Sequence, residues 1–128
     1  MLQAYAYALH MLTGIALLAL FFGIYTKITP FDEVALIRQG NAAAALSLSG
    51  AVVGFSLTVV SSILHNDIFW LFLTWALGAM LVQVVAYALL SRMLPQMNQA
   101  IQQNNVAMGG LMGLFSLVVG MINAACLS

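Results

Sequence analysis

Three acids, three bases, two histidines and one cysteine are all the titratable side chains, tyrosines apart, that this chain offers to chemistry. Asp32 and Glu33 are adjacent, so on a helix they point to different faces and do not form an acid–base pair; both are expected in headgroup water. No nucleophile stands at a spacing that would give it a base, so no catalytic residue is assigned and an enzyme is not expected. His10 and His65 are expected on one side of the molecule, where they could sense external pH, but two histidines without defined spacing make no metal site. Met108 and Met112 share a helical face, which suits gap-filling better than copper binding. Cys126 has no partner for an intrachain disulfide and reads as a packing residue. No cofactor or metal is implied.

What remains is polarity inside apolar runs. Gln83 and Asn123 each interrupt such a run and need a partner in a neighbouring helix or a wet cavity. Ser47, Ala51, Gly54, Thr58, Ser61 and His65 follow one another at intervals of three or four, which places them in one small and polar stripe. Gly50 with Gly54, and Gly109 with Gly113, are GxxxG pairs that let helix backbones approach closely, and Ser116, Gly120 and Ala124 extend the second. Such stripes serve either as packing faces, each hydroxyl bonding back to a carbonyl one turn earlier, or as the lining of a conduit.

The elements that position these residues follow from composition. The chain is 64% hydrophobic and 5% charged, against about 25% charged in a soluble domain, so most of its surface must meet lipid. A span needs about 20 apolar residues, and four such runs fill one membrane domain, 1–128, with no room for a soluble one. The first runs from about Ala4 to Lys27; it begins without a basic region and is too long for the core of a signal peptide, so it is expected to persist as a span. The second runs from Asn41 to about Ile63, the third from about Ile68 to Met93, and the fourth starts at Asn105. His65-Asn66-Asp67 joins spans two and three as a tight antiparallel turn. Tyr5, Tyr7, Phe69, Trp70 and Trp75 are placed as interfacial aromatics.

Between spans one and two, Thr29 as cap, Pro30 at the first position and the following acids predict a short helix in the headgroup plane, ended by Gly40. After span three, Pro95 opens a second one, with Met97, Ala100 and Ile101 on one face. Lys27 and Pro30 recur as Arg92 and Pro95, and after a one-residue deletion Asn41, Ala45 and Ser49 recur as Asn105, Gly109 and Gly113. The fold expected is therefore all-α and polytopic, four transmembrane helices built as a duplicated two-helix unit, about 4–64 and 68–127. Two spans per unit return the chain to its starting side, so the repeats are parallel. Lys27, Pro30, Asn41, Arg92, Pro95 and Asn105 then form a duplicated boundary hinge. Lys27, Arg38 and Arg92 all flank the connections after spans one and three, which places those connections in the cytoplasm and the termini in the periplasm.

Ile24-Tyr25-Thr26-Lys27-Ile28-Thr29-Pro30, with Glu33, Leu36-Ile37, Asn41-Ala42-Ala43-Ala44, Ser49-Gly50 and the ending Asn123-Ala124-Ala125-Cys126, resembles the YjfL-like bacterial inner-membrane proteins, domain-of-unknown-function family 350. The resemblance covers essentially the whole chain. It implies a four-span bacterial inner-membrane protein without an established activity, and an association with membrane-stress partner proteins.

With zero net charge and no basic tract, nucleic acid is excluded as a partner. The bilayer is the first partner. Small-residue stripes on both halves also call for helix partners, so a homo-oligomer is expected. Two functions from different classes fit: a small ion or solute conduit or sensor, and a membrane scaffold docking a partner through its cytoplasmic loops.

Overall fold

The computed structural model describes residues 2–28, 32–66 and 68–127. The described residues form six helices and no strand: α1 (Leu2–Ile28), α2 (Glu33–Arg38), α3 (Ala42–His65), α4 (Phe69–Met93), α5 (Pro95–Gln102) and α6 (Val106–Cys126). Among them, α1, α3, α4 and α6 are long and apolar enough to cross a membrane, at 26, 24, 25 and 21 residues of continuous span. They form because leucine, alanine, valine and phenylalanine run through them without a proline, and they stop where polar caps intervene. Asn41 and Asn105 cap α3 and α6, each accepting a hydrogen bond from the backbone three residues on, Ala44 N at 2.9 Å and Met108 N at 3.3 Å.

The short helices are built in the same manner but differ from expectation at one end. Asp32, not Thr29, caps α2, its Oδ1 accepting from Ala35 N at 3.2 Å. A carboxylate at the positive end of the helix dipole outdoes a threonine hydroxyl there. Thr29, Pro30 and Phe31 lie outside the described residues, as does Asp67, so the Pro30 part of the hinge is not described. Pro95 occupies the first turn of α5. Met97 and Ile101 on α5 are fully buried and join the hydrophobic core, so this helix turns its apolar face into the bundle.

Each short helix is left by the same route. Asn41 N donates to Leu36 O at 2.9 Å and Asn105 N to Ala100 O at 2.8 Å; Gly40 N donates to Ile37 O and Asn104 N to Ile101 O, both at 3.0 Å. The chain reverses through a left-handed residue in both cases, Gly40 at φ 86° and Asn104 at φ 63°. Glycine and asparagine are the residues that adopt this conformation at least cost.

α3 is the central helix: half of its most apolar window is buried, against 17% for α1. Its most extensive neighbour is α6. Ala43 meets Gly109, Gly50 meets Gly113, Gly54 meets Gly120, and Ser61 Oγ donates to Ala124 O at 2.7 Å, so the two helices run side by side in the same direction. Their contact is backbone on backbone: a Cβ added at Gly50 would land on the main chain of Gly113, and one at Gly54 would stand 2.7 Å from Ser116 O. Within lipid, such contact gains dispersion and weak Cα–H···O attraction that bulkier residues would forfeit. On an adjoining face of α3, Phe55 stacks on Phe21 of α1 with centroids 4.7 Å apart, and Phe72 of α4 completes the core.

Candidate functional site

The polar groups buried in this apolar bundle gather at three levels. At the end that holds α2 and α5, Tyr25 near the close of α1 is fully buried and its hydroxyl lies 3.3 Å from Ser47 Oγ on α3. Tyr87 on α4 packs against it with ring centroids 4.5 Å apart. Glu33, the first residue of α2, is also fully buried, and its carboxyl bears electrostatically on both tyrosines. This corrects the expectation that Glu33 sits in headgroup water. The polar face assigned to α2 is its inward face at this position: Asp32 takes the exposed cap and the next residue, Glu33, is buried. Nearby, Asn98 of α5 is buried and donates to Ser91 Oγ at 2.9 Å. Lys27, Arg38 and Arg92 are exposed around this end.

At mid-depth, Gln83 is buried and its Nε2 donates to Ser116 O of α6 at 2.8 Å. Its amide also lies beside Gly54, so one residue touches both members of the α3–α6 pair. Toward the α3–α4 hairpin, Asn123 Nδ2 donates to Ala79 O at 3.0 Å, and Ser62 Oγ donates to Phe72 O at 2.9 Å. Both polar residues inside apolar runs thus bond a backbone carbonyl on a neighbouring helix, Gln83 and Asn123 together tying α4 to α6.

The small residues named from spacing lie as follows. Ser47, Ala51, Gly54, Thr58 and Ser61 are buried, as are Gly109, Gly113, Ser116 and Gly120, while Gly50 is half-buried. Thr58 Oγ1 donates to Phe55 O at 2.6 Å, the local back-bond expected of a hydroxyl in a membrane helix, whereas Ser61 reaches across to α6. The α3 and α6 faces pair with each other inside one chain, so they do not by themselves call for a second copy. His65, the last member of the stripe, is exposed and its Nδ1 donates to Ser61 O at 2.9 Å.

His10 and His65 each bond a carbonyl of their own helix. His10 Nδ1 donates to Ala6 O at 2.7 Å, and its ring stacks on Phe72 with centroids 5.3 Å apart. Among the described residues no group of three histidine, cysteine or carboxylate side chains could hold a metal. Cys126, expected to pack, is exposed at the end of α6, two residues past Ala124, whose carbonyl accepts from Ser61 of α3. Met112 is fully buried in the core.

Sequence reasoning missed the Glu33, Tyr25 and Tyr87 cluster. Two tyrosines set two and five residues inside the cations Lys27 and Arg92 were a usable signal, since a hydroxyl inside an apolar run needs company. The two hinges are joined as well: Asn41 Nδ2 donates to Ile101 O at 2.9 Å and Asn104 Oδ1 accepts from Ala43 N at 3.1 Å. Between them Gln39, Gln102, Gln103 and Asn104 border a cavity of about 240 Å³.

Comparison with known proteins identifies a family of membrane proteins. The model of the family described as Domain of Unknown Function (DUF350) matches residues 1–127. The chain is 31% identical over 123 residues to the UPF0719 inner membrane protein YjfL of Escherichia coli (strain K12), covering 96% of this chain and 93% of that protein. It has the same identity and coverage with the protein of that name from Escherichia coli O157:H7. No solved structure matches the chain.

Proposed function

Since the chain belongs to the DUF350 family and is similar to an inner membrane protein of that family, we propose that it is a bacterial inner-membrane conduit or sensor for a small monovalent cation or proton, with Glu33 as the responding group. The observation that carries this reading is the full burial of Glu33 beside Tyr25 and Tyr87. Taking a carboxylate out of water is expensive, and within a membrane protein such a residue marks an ion or proton site by default. Tyrosine and serine hydroxyls beside it can share a proton or replace part of a cation's hydration. Deeper in the bundle, Gln83, Ser61 and Ser62 continue the polar interior toward the far end. The reading involves no catalysis and no resident cofactor. It concerns a single membrane domain, and copies of it assembling as a homo-oligomer would meet through faces other than the α3–α6 seam.

In proteoliposomes, a pH or cation gradient should dissipate faster with the wild-type protein than with Glu33→Gln, by at least tenfold. The infrared carboxyl band that Glu33→Gln removes should respond to pH or to sodium or potassium. A responsive band without flux leaves a sensor; neither flux nor a responsive band ends the proposal.

The duplicated organisation, about 4–64 and 68–127, is part of the same reading. It is supported by the matching hinge bonds of Asn41 and Asn105, the left-handed Gly40 and Asn104, and the parallel pairing of α3 with α6. A pseudo-twofold axis along the membrane normal accounts for all three. The exposed Lys27, Arg38 and Arg92 support cytoplasmic α2 and α5 with periplasmic termini. Alkaline phosphatase fused after Ser128 should therefore be active, and a β-galactosidase fusion there inactive; the opposite pair of activities reverses the orientation.

The scaffold reading has its own observation, the amide-bordered cavity between the two hinges, which presents Gln39, Gln102 and Gln103 to a soluble partner such as a membrane-stress protein. Glu33 has no part in it, being buried.

A further inference from the structure

The hydroxyls beside Glu33 continue past the two tyrosines. Tyr87 hydrogen-bonds with Tyr25 and with Ser91, which lies one turn further along α4. Ser91 Oγ in turn accepts from Asn98 Nδ2 of α5 at 2.9 Å. Ser47, Tyr25, Tyr87, Ser91 and Asn98 thus form one connected chain across α3, α1, α4 and α5, and the Glu33 carboxyl bears on its two tyrosines.

A chain of hydroxyls has a direction, and its ends set it. The Asn98 amide is oriented without ambiguity: Nδ2 also lies 3.4 Å from Ser91 O, which can only accept, so the atom turned toward Ser91 is the donor. Ser91 Oγ therefore receives a hydrogen bond, and its own proton goes elsewhere. Thr26, Ser56, Thr58 and Thr74 give theirs to a carbonyl about one turn earlier, a bond that Ser91 does not make among the described residues. Tyr87 is the acceptor left to it. With Ser91 donating to Tyr87, the tyrosine protons are directed away from α5, toward Ser47 and the carboxyl of Glu33, which accepts only when ionised.

Asn98 is 8% exposed, yet its Oδ1 has no hydrogen-bond partner. A buried amide that leaves its acceptor unsatisfied is a costly clip between α4 and α5, and leucine would fill nearly the same shape without that cost. What leucine lacks is the donor.

We infer that the species Glu33 takes up is a proton rather than a metal cation, and that Asn98 is the positioning residue that arranges it. Hydroxyls whose hydrogens are directed at a carboxylate offer it donors, whereas a sodium or potassium ion in the same place needs their lone pairs. The inference rests on the reading of Glu33 as the responding group. Its chemical step is minimal: one proton from water adds to a carboxylate oxygen, the carboxylate becomes a neutral carboxyl, and the hydroxyl that donated to it turns away. The titratable groups that face Glu33 are Tyr25 of α1 and Tyr87 of α4. α5 carries none, α3 only His65 at its far end, and Lys27, Asp32, Arg38 and Arg92 are exposed.

The test is infrared difference spectroscopy of the full-length protein in lipid nanodiscs, on the carboxyl band that Glu33→Gln removes, titrated with pH in sodium, potassium and choline buffers. One midpoint is expected, the same in all three. Asn98→Leu should raise it by about one pH unit, hence roughly tenfold in proton affinity, because the carboxylate loses a donor. Ser91→Ala should do the same and the double variant no more than either single one, whereas Ser91→Thr keeps the hydroxyl and leaves the midpoint in place. A loosened α5 that merely admitted water would lower the midpoint, since hydration favours the carboxylate, so the sign separates positioning from disruption. A midpoint that Asn98→Leu lowers or leaves unchanged overturns the role of Asn98. A band that follows sodium or potassium at constant pH overturns the proton assignment while keeping Glu33 as the responding group, and a band insensitive to pH and cations alike overturns that reading as well.

Discussion

Gly50→Ala and Gly113→Ala will each destabilise the purified protein by about 3 kcal/mol or more, whereas Gly78→Ala will leave it unchanged or slightly more stable. The contrast is set by what a single methyl group meets. At Gly50 it would fall on the backbone of Gly113, and at Gly113 on the carbonyl of Leu46, main-chain atoms that cannot rotate away. At Gly78 there is nothing within 4 Å. Overpacking costs about 1–3 kcal/mol where side chains can yield, and more where one helix must lift off another along its length. On the open face of α4, alanine instead gains up to about 1 kcal/mol of helix propensity. Unfolding in mixed micelles of rising SDS fraction, followed by circular dichroism, measures both; equal transitions for the three variants would mean that α3 and α6 do not touch through their backbones.

A second difference separates two residues that look alike in sequence. Asn41→Ala should cost about 2–3 kcal/mol and Asn105→Ala about 1 kcal/mol. Both lose a helix cap, with Ala44 N or Met108 N left to find another acceptor. Asn41 is 7% exposed and also donates to Ile101 O, so its loss strands a carbonyl at the end of α5 inside the protein. Asn105 is exposed, and water can replace what its cap supplied. The same micelle titration reads the result, and equal losses would show that the link between the two hinges contributes nothing.

These residues also mark how far the sequence could be followed. Four apolar runs and two asparagine caps were legible because hydropathy and cap chemistry are local, and the small stripe of α3 because helical spacing is. Gln83 announced that it needed a partner, but a local signal cannot say that the partner is the carbonyl of Ser116 on a helix that begins 23 residues later. Glu33 was misplaced for a related reason. In a helix of six residues, polarity alone does not say which side is inward, and here the inward side carries the carboxyl. The cap of α2 went to Asp32 because its carboxylate was the better acceptor. The exposure of Cys126 follows from its place two residues beyond Ala124, on the side of α6 turned away from the Ser61 contact.

The parallel seam of α3 and α6 has a consequence during biosynthesis. The bond between Ser61 and Ala124 spans 63 positions, and α4 and α5 separate the two helices in the chain. While the polypeptide is still emerging from the translocon, α3 must wait in lipid with Gly50 and Gly54 uncovered until the last span arrives. A ribosome that stalls in this interval leaves a membrane helix whose bare backbone ridge fits any similar ridge nearby, including that of another nascent copy. The closing helix therefore completes the bundle and also withdraws its stickiest surface from the bilayer.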